Sequence, residues 1–191
     1  MTENRRWPAR PTSYKGRKLR SRLEAKWAAF FDSVSWHWEY EPEAIGGWMP
    51  DFLIFGPSGR IYVEVKPDHL LPGAEAKVAR AMGALGRKRF GLVVGEAPWF
   101  ANGLAVVGRA FGEVDTGFEE PAPIVSWADA RLVTDRRSHP LPFDLIAPDL
   151  VDLCLLAPGN ETSGDVVACD EREVRRLWAA AANSAMWQRD P

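Results

Sequence analysis

The run from Pro50 to Pro67, PDFLIFGPSGRIYVEVKP, constrains the chain more than any other stretch. It reads as two short strands, Asp51 to Phe55 and Ile61 to Lys66. Gly56-Pro57-Ser58-Gly59 between them reverses the chain. Strand side chains alternate between faces, so Glu64 and Lys66 share one face and Val63 and Val65 the other. A charged pair in an otherwise apolar strand is expensive to bury without a purpose. Asp51, at the mouth of the neighbouring strand, is expected close by. Two carboxylates and one amine then converge on a small volume, a grouping suited to a hard divalent cation and a phosphate oxygen. The same letters also fit a plain hairpin whose Glu and Lys flank a valine at the surface.

Upstream, Leu19, Leu23, Trp27, Phe30, Phe31 and Val34 recur at spacings of three and four, which predicts a helix from Leu19 to about Val34. Ser21 and Glu24 form an S-x-x-E capping pattern at its start. Glu24 is therefore either a cap or a site acid, and the two roles are compatible. SWHWEYE, Ser35 to Glu41, alternates strictly and predicts a half-exposed strand with Trp36, Trp38 and Tyr40 on one face. His37, on its polar face, is a lone histidine. Pro42 to Met49 reads as a loop, and Pro50 suits the start of the next strand because it has no N–H to donate.

Downstream, Asp68 and His69 open a loop to Gly73. AEAKVARAMGAL, Ala74 to Leu85, reads as a helix ended by Gly86. Phe90 to Gly95 is an apolar run of strand length, suited to a sheet covered on both sides and reached by a right-handed crossover. Gly103 to Gly108 and Val151 to Leu156 read as further strands, with a short apolar run from Ile124 to Trp127. Val174, Leu177, Trp178, Ala181 and Met186 give the stretch from Asp170 to Trp187 the apolar side of a helix.

Pro50-Asp51 followed by Glu64-Val65-Lys66 resembles the signature of the PD-(D/E)XK nuclease superfamily. Glu24 matches that family's upstream acid on the first helix. The resemblance runs from about Ser21 to Gly95, with helix, three strands, helix and strand in the family's order. It is nearest to small nucleases of phages and mobile elements and to transposon-end-cleaving nuclease subunits. It implies an α/β fold, a restriction-endonuclease-like αβββαβ core whose mixed central sheet is flanked by helices. Residues 19–112 would form this core, after a basic arm at 1–18 and before an extension at 113–191 that packs on it and ends in a helix. It also implies a Mg²⁺-dependent endonuclease, with Mn²⁺ able to substitute, that leaves 5′-phosphate and 3′-hydroxyl ends. Asp51 and Glu64, with the Val65 carbonyl, would hold the metal. Lys66 would assist the attacking water, by electrostatic positioning rather than as a base, because neighbouring acids raise a lysine's pKa. Glu24 would assist through a second metal or water. The alternative is a nuclease-fold subunit that binds nucleic acid or organises a complex without cutting it.

Charge supports a polyanionic partner. Between Arg5 and Lys26 nine residues are Lys or Arg and one, Glu24, is acidic, although the whole chain carries a formal charge of −2. Arg17, Lys18 and Arg20, with Lys77, Arg80, Arg87 and Lys88 on and after the second helix, are the candidate nucleic-acid contacts, and DNA is the expected partner. Met1 to about Lys18 reads as an arm with a short helix near its end, where Trp7 and Tyr14 either stack on bases or pack on the core. A helix-turn-helix or finger for reading sequence is not evident, so specificity is expected from loops, a homodimer or a partner protein. No membrane-spanning run or secretory signal is read. Cys154 and Cys169 make no disulfide framework, consistent with a cytoplasmic setting. A phosphate-cradling glycine loop, a nucleophile elbow and a structural zinc set are likewise not found.

Overall fold

The computed structural model describes residues 10–56, 59–83, 89–101, 104–114, 124–135, 166–168 and 171–185. The first element among the described residues is a hairpin, not a helix. Strands β1 (Thr12–Tyr14) and β2 (Arg17–Leu19) pair antiparallel. Lys15 and Gly16 between them both take positive φ, 46° and 76°, as a two-residue hairpin turn requires. Thr12, Tyr14 and Leu19 are buried, and the Tyr14 hydroxyl donates to Asp32 at 2.9 Å. Tyr14 therefore packs on the core.

Helix α1 (Arg22–Ser33) starts at Ser21, whose hydroxyl accepts from the Glu24 N–H. Trp27, Phe30 and Phe31 on its inner face are fully buried. Leu19, expected in this helix, lies in β2 instead, because Ser21 takes the extended backbone of a cap (φ −141°, ψ 157°).

Strands β3 (Trp38–Tyr40), β4 (Phe52–Gly56) and β5 (Gly59–Val65) follow as an antiparallel run, with Tyr40 opposite Phe52 and Phe52 opposite Val63. A 3-10 turn (Asp68–Leu70) leads into helix α2 (Leu71–Met82). This helix begins three residues earlier than the sequence suggests. Pro72 falls in its first turn, where the missing N–H has no partner to lose. Strand β6 (Arg89–Val94) then returns parallel to β5, with Glu64 opposite Val93. Strand β8 (Leu104–Val114) pairs antiparallel with β6 and also carries β7 (Trp99–Ala101) and β9 (Ile124–Arg131). The result is a seven-stranded mixed sheet, β3-β4-β5-β6-β8-β7 with β9 on β8. A small separate ribbon joins β10 (Val133–Asp135) to β11 (Val166–Ala168), and helix α3 (Glu171–Ser184) follows.

Both faces of the sheet are covered. On one face, Ile61, Val63, Val65, Leu92 and Val94 pack under α1 and α3. The other face sets Leu53, Tyr62 and Val93 against Ala74, Val78, Ala81 and Met82 of α2. The period-two alternation of β5 thus puts Glu64 on the α2 face, opposite its valine neighbours. Val151 to Leu156, both cysteines, Trp7 and Met186 lie outside the described residues. Among the described residues, no helix is long and apolar enough to cross a membrane.

Candidate functional site

Asp51 sits just ahead of β4, clamped from both sides by backbone. Its N–H donates to Val63 O at 2.8 Å, and its carbonyl accepts from the Glu41 N–H at 3.0 Å. The side chain is 1 % exposed and turns along the sheet to accept from the Val65 N–H at 2.7 Å. Its other carboxylate oxygen takes the Arg20 guanidinium.

Glu64 is equally buried, at 1 %. Its Oε2 accepts from the Trp48 indole N–H at 2.6 Å. Its Oε1 lies 2.9 Å from Lys66 Nζ and 3.0 Å from Lys77 Nζ. Trp48 comes from the loop before β4. That loop closes on itself through reciprocal 2.7 Å hydrogen bonds between Ile45 and Trp48. Gly46 and Gly47 hold its turn at positive φ, 52° and 81°, where a side chain is strained. The turn drives Trp48 into the α2-side core beside Tyr62 and Val78.

Lys66 joins the two acids. Its Nζ is 2.9 Å from Glu64, 3.4 Å from Asp51 and 3.0 Å from the Val65 carbonyl, to which it donates. Glu24, 6 % exposed, belongs to the cap of α1 and also reaches toward this group. It accepts from the Ser21 hydroxyl at 2.9 Å, the Tyr40 hydroxyl at 2.6 Å and the Arg20 backbone N–H at 3.1 Å. Arg20 therefore bridges Glu24, through its backbone, and Asp51, through its side chain. Its Nε also pairs with Glu41 at 3.0 Å.

The electrostatics follow from this crowding. Burial pushes the Asp51 carboxyl up to about 6, against the pull of Lys66 and with the Glu64 charge adding to the rise. Burial also acts to raise Glu64, but hydrogen bonds from Lys66, Trp48 and Lys77 outweigh it and hold that carboxyl below the usual range. Burial would lower Lys66, yet Asp51 and Glu64 more than offset it, so its pKa is raised and it stays an ammonium ion at neutral pH. Tyr40 is pushed up to about 12 by burial and by its bond to Glu24, which keeps it a donor.

The donor set is hard oxygen throughout: two buried carboxylates and the Val65 carbonyl, which faces the same ammonium. That set suits Mg²⁺ or Mn²⁺. Among the described residues, no group of three or more His, Cys, Asp or Glu side chains is arranged to hold a metal ion.

Of the other sequence-predicted residues, Lys77 reaches the site. Arg17 stacks over the Trp38 ring at 5.4 Å, and Lys18 and Arg80 are exposed elsewhere. Arg87 and Lys88 lie outside the described residues. Asp68 accepts from the Glu96 N–H at 2.9 Å in a loop-holding contact, His69 is exposed, and His37 lies against Phe55 at 5.2 Å. Trp48 and Tyr40 are the residues that sequence reasoning misses. Tyr40 had a signal, its place at the strand end facing the mouth that holds Asp51. Trp48 had none beyond the Gly-Gly turn before it.

Compared with known proteins, the chain matches no family model, no curated protein and no solved structure, so the site stands on its own residues.

Proposed function

We propose that the protein is a metal-dependent nuclease that hydrolyses phosphodiester bonds, with DNA as its substrate. The observation that carries this reading is the convergence of Asp51 and Glu64, each 1 % exposed, on one lysine ammonium at the mouth of two adjacent strands. Two adjacent buried acids are costly unless cations and hydrogen bonds compensate them, and a divalent cation would do so most directly. The strand path supports the restriction-endonuclease-like assignment. Helix α1 precedes the antiparallel run β3-β4-β5, and α2 crosses to the parallel β6. Asp51 just ahead of β4 and Glu64-Val65-Lys66 at the end of β5 are compatible with that assignment.

In this reading Asp51, Glu64 and the Val65 carbonyl would hold one divalent cation. When bound, that ion supplies a water of lowered pKa and withdraws charge from the phosphate. Trp48 fixes Glu64 from behind, so that Oε1 is the oxygen offered to the site. Lys66, kept protonated, stabilises the charge that grows on the phosphoryl oxygens rather than removing a proton. Glu24 and Tyr40 hold the backbone of Arg20, which places a guanidinium over Asp51. Water attacks phosphorus, the bond to the 3′ oxygen breaks, and the products are a 5′-phosphate and a 3′-hydroxyl.

The second reading is a non-cleaving subunit that binds nucleic acid. It draws on the completeness of charge compensation, with Arg20, Lys66 and Lys77 already serving both carboxylates. The variants Lys66→Ala and Asp51→Ala separate the two. We expect each to fold, by circular dichroism, and to lose Mg²⁺-dependent cleavage by about 100-fold or more. A Lys66→Ala protein that cuts as well as the parent would refute the nuclease reading.

A further inference from the structure

Helix α2 brings one residue to the site that the Asp-Glu-Lys set does not include. Ala74, Val78 and Ala81 anchor the helix on the sheet, and Lys77 lies beside them on the helix surface at spacings of one, three and four. Its Nζ reaches down to Glu64 Oε1 at 3.0 Å, while the side chain remains 47 % exposed. Lys66 Nζ occupies the same oxygen at 2.9 Å. Two ammonium groups therefore share one carboxylate oxygen, and the Trp48 N–H already takes the other. Arg20, Lys66 and Lys77 give three cations to the two carboxylates, and Lys77 is the more exposed of the two lysines on Glu64.

The two lysines differ in what else they hold. Lys66 keeps the Val65 carbonyl at 3.0 Å and Asp51 at 3.4 Å if Glu64 is taken away. Lys77 has no other partner among the described residues than Glu64. A cation on Oε1 would repel Lys77 and take its acceptor, leaving a flexible, hydrated ammonium at the rim of the site, free to meet an incoming anion.

We propose that Lys77 is a second catalytic ammonium, one that leaves Glu64 Oε1 for a phosphate oxygen of the strand being cut when a divalent cation takes that carboxylate. This rests on the nuclease reading above and adds a residue to it. Lys77 neutralises a non-bridging phosphoryl oxygen on the α2 side, while Lys66 acts from the sheet side. In the metal-free protein Lys77 holds the Glu64 oxygen that a cation would take, so its loss should separate metal binding from cleavage.

The test compares the parent with Lys77→Met and Lys77→Arg. Mg²⁺ and Ca²⁺ binding to the free protein is measured by calorimetry, and plasmid cleavage is measured at saturating Mg²⁺. We expect Lys77→Met to bind metal as tightly as the parent or more tightly, yet to cleave about 100-fold more slowly. Lys77→Arg should recover most of that loss. Lys77→Gln, which keeps a donor toward Glu64, replaces Lys77→Met if that variant does not fold. If the parent cuts and Lys77→Met or Lys77→Gln cuts equally well, Lys77 is only a counterion and this assignment falls alone. A parent that cuts no substrate removes the nuclease reading, and this assignment with it.

Discussion

At the residue scale, the site is governed by how two buried carboxylates share positive charge. Asp51, pushed up to about 6, binds a proton more readily than an ordinary aspartate. With respect to Asp51, the metal-free fold has its full stability below the usual aspartate pKa and loses it as pH rises through about 6. A bound divalent cation reverses that penalty, since it needs the carboxylate. Mg²⁺ should therefore raise the melting temperature clearly at pH 7.5 and hardly at pH 5, with affinity falling roughly tenfold per unit below pH 6. Equal protection at both pH values would remove Asp51 from the ligand set. Trp48 offers a second check. Trp48→Phe deletes the only N–H on Glu64 Oε2 among the described residues. Leaving a buried acceptor without its donor costs about 1–3 kcal/mol. We expect a lower melting temperature and weaker Mg²⁺ binding measured by calorimetry. Unchanged values for both would mean that Trp48 does not position Glu64.

At the scale of elements, the site depends on α2 lying close on β6. Gly91 makes that approach possible, because an added Cβ would collide with Val78 Cγ1 and stand 3.0 Å from Met82 Cγ. Gly91→Ala should lift α2, lower stability by about 1–3 kcal/mol and slow cleavage, since Lys77 moves with the helix. Denaturant melts and plasmid assays measure the two effects, and wild-type stability would contradict the close packing. On the other face, Trp178 of α3 packs on Trp27 and Phe30 of α1 at 4.7 and 5.6 Å. The three-four spacing around Leu177 had marked this helix. Elements with strong periodicity were legible for that reason: α1, the β4-β5 pair, β6 and α3 all fall where their apolar residues recur. The β1-β2 hairpin was missed because basic letters masked the buried alternation of Thr12 and Tyr14, although Lys15-Gly16 is a turn signal. The start of α2 was missed because Pro72 reads as a loop residue yet costs nothing in a first helical turn. Asp51, Glu64 and Lys66 were legible because two paired strands juxtapose them whatever the rest of the fold does. Trp48 and the bridging role of Arg20 were not, and Tyr40 only by its place at a strand end, since their contacts come from a loop, a strand end and a helix cap that only tertiary packing brings together.

At the scale of the whole molecule, a chain of net charge −2 concentrates cations around one set of acids. Arg20 from the hairpin side, Lys66 from the sheet and Lys77 from α2 surround Asp51 and Glu64. Asp32 ties the hairpin down, accepting from Tyr14 at 2.9 Å and Trp38 at 2.8 Å and pairing with Lys15 at 2.7 Å. The basic segment that contains Arg20 is thereby fixed to the sheet edge that carries β3. Under the proposed nuclease function these cations would meet phosphates and release counterions, so binding of a DNA duplex in Ca²⁺ should weaken steeply as salt rises, measured by fluorescence anisotropy. Salt-independent binding would argue against a phosphate-reading surface. The central claim is that Asp51, Glu64 and Lys66 form a metal-dependent phosphodiesterase site. Its most direct test is to incubate supercoiled plasmid and labelled single-stranded, duplex and branched oligonucleotides with the protein in Mg²⁺, Mn²⁺ or EDTA, beside Lys66→Ala. Cleavage that needs the metal and disappears in Lys66→Ala is the predicted result. Cleavage that survives EDTA or the substitution, or no cleavage of any substrate, would contradict it.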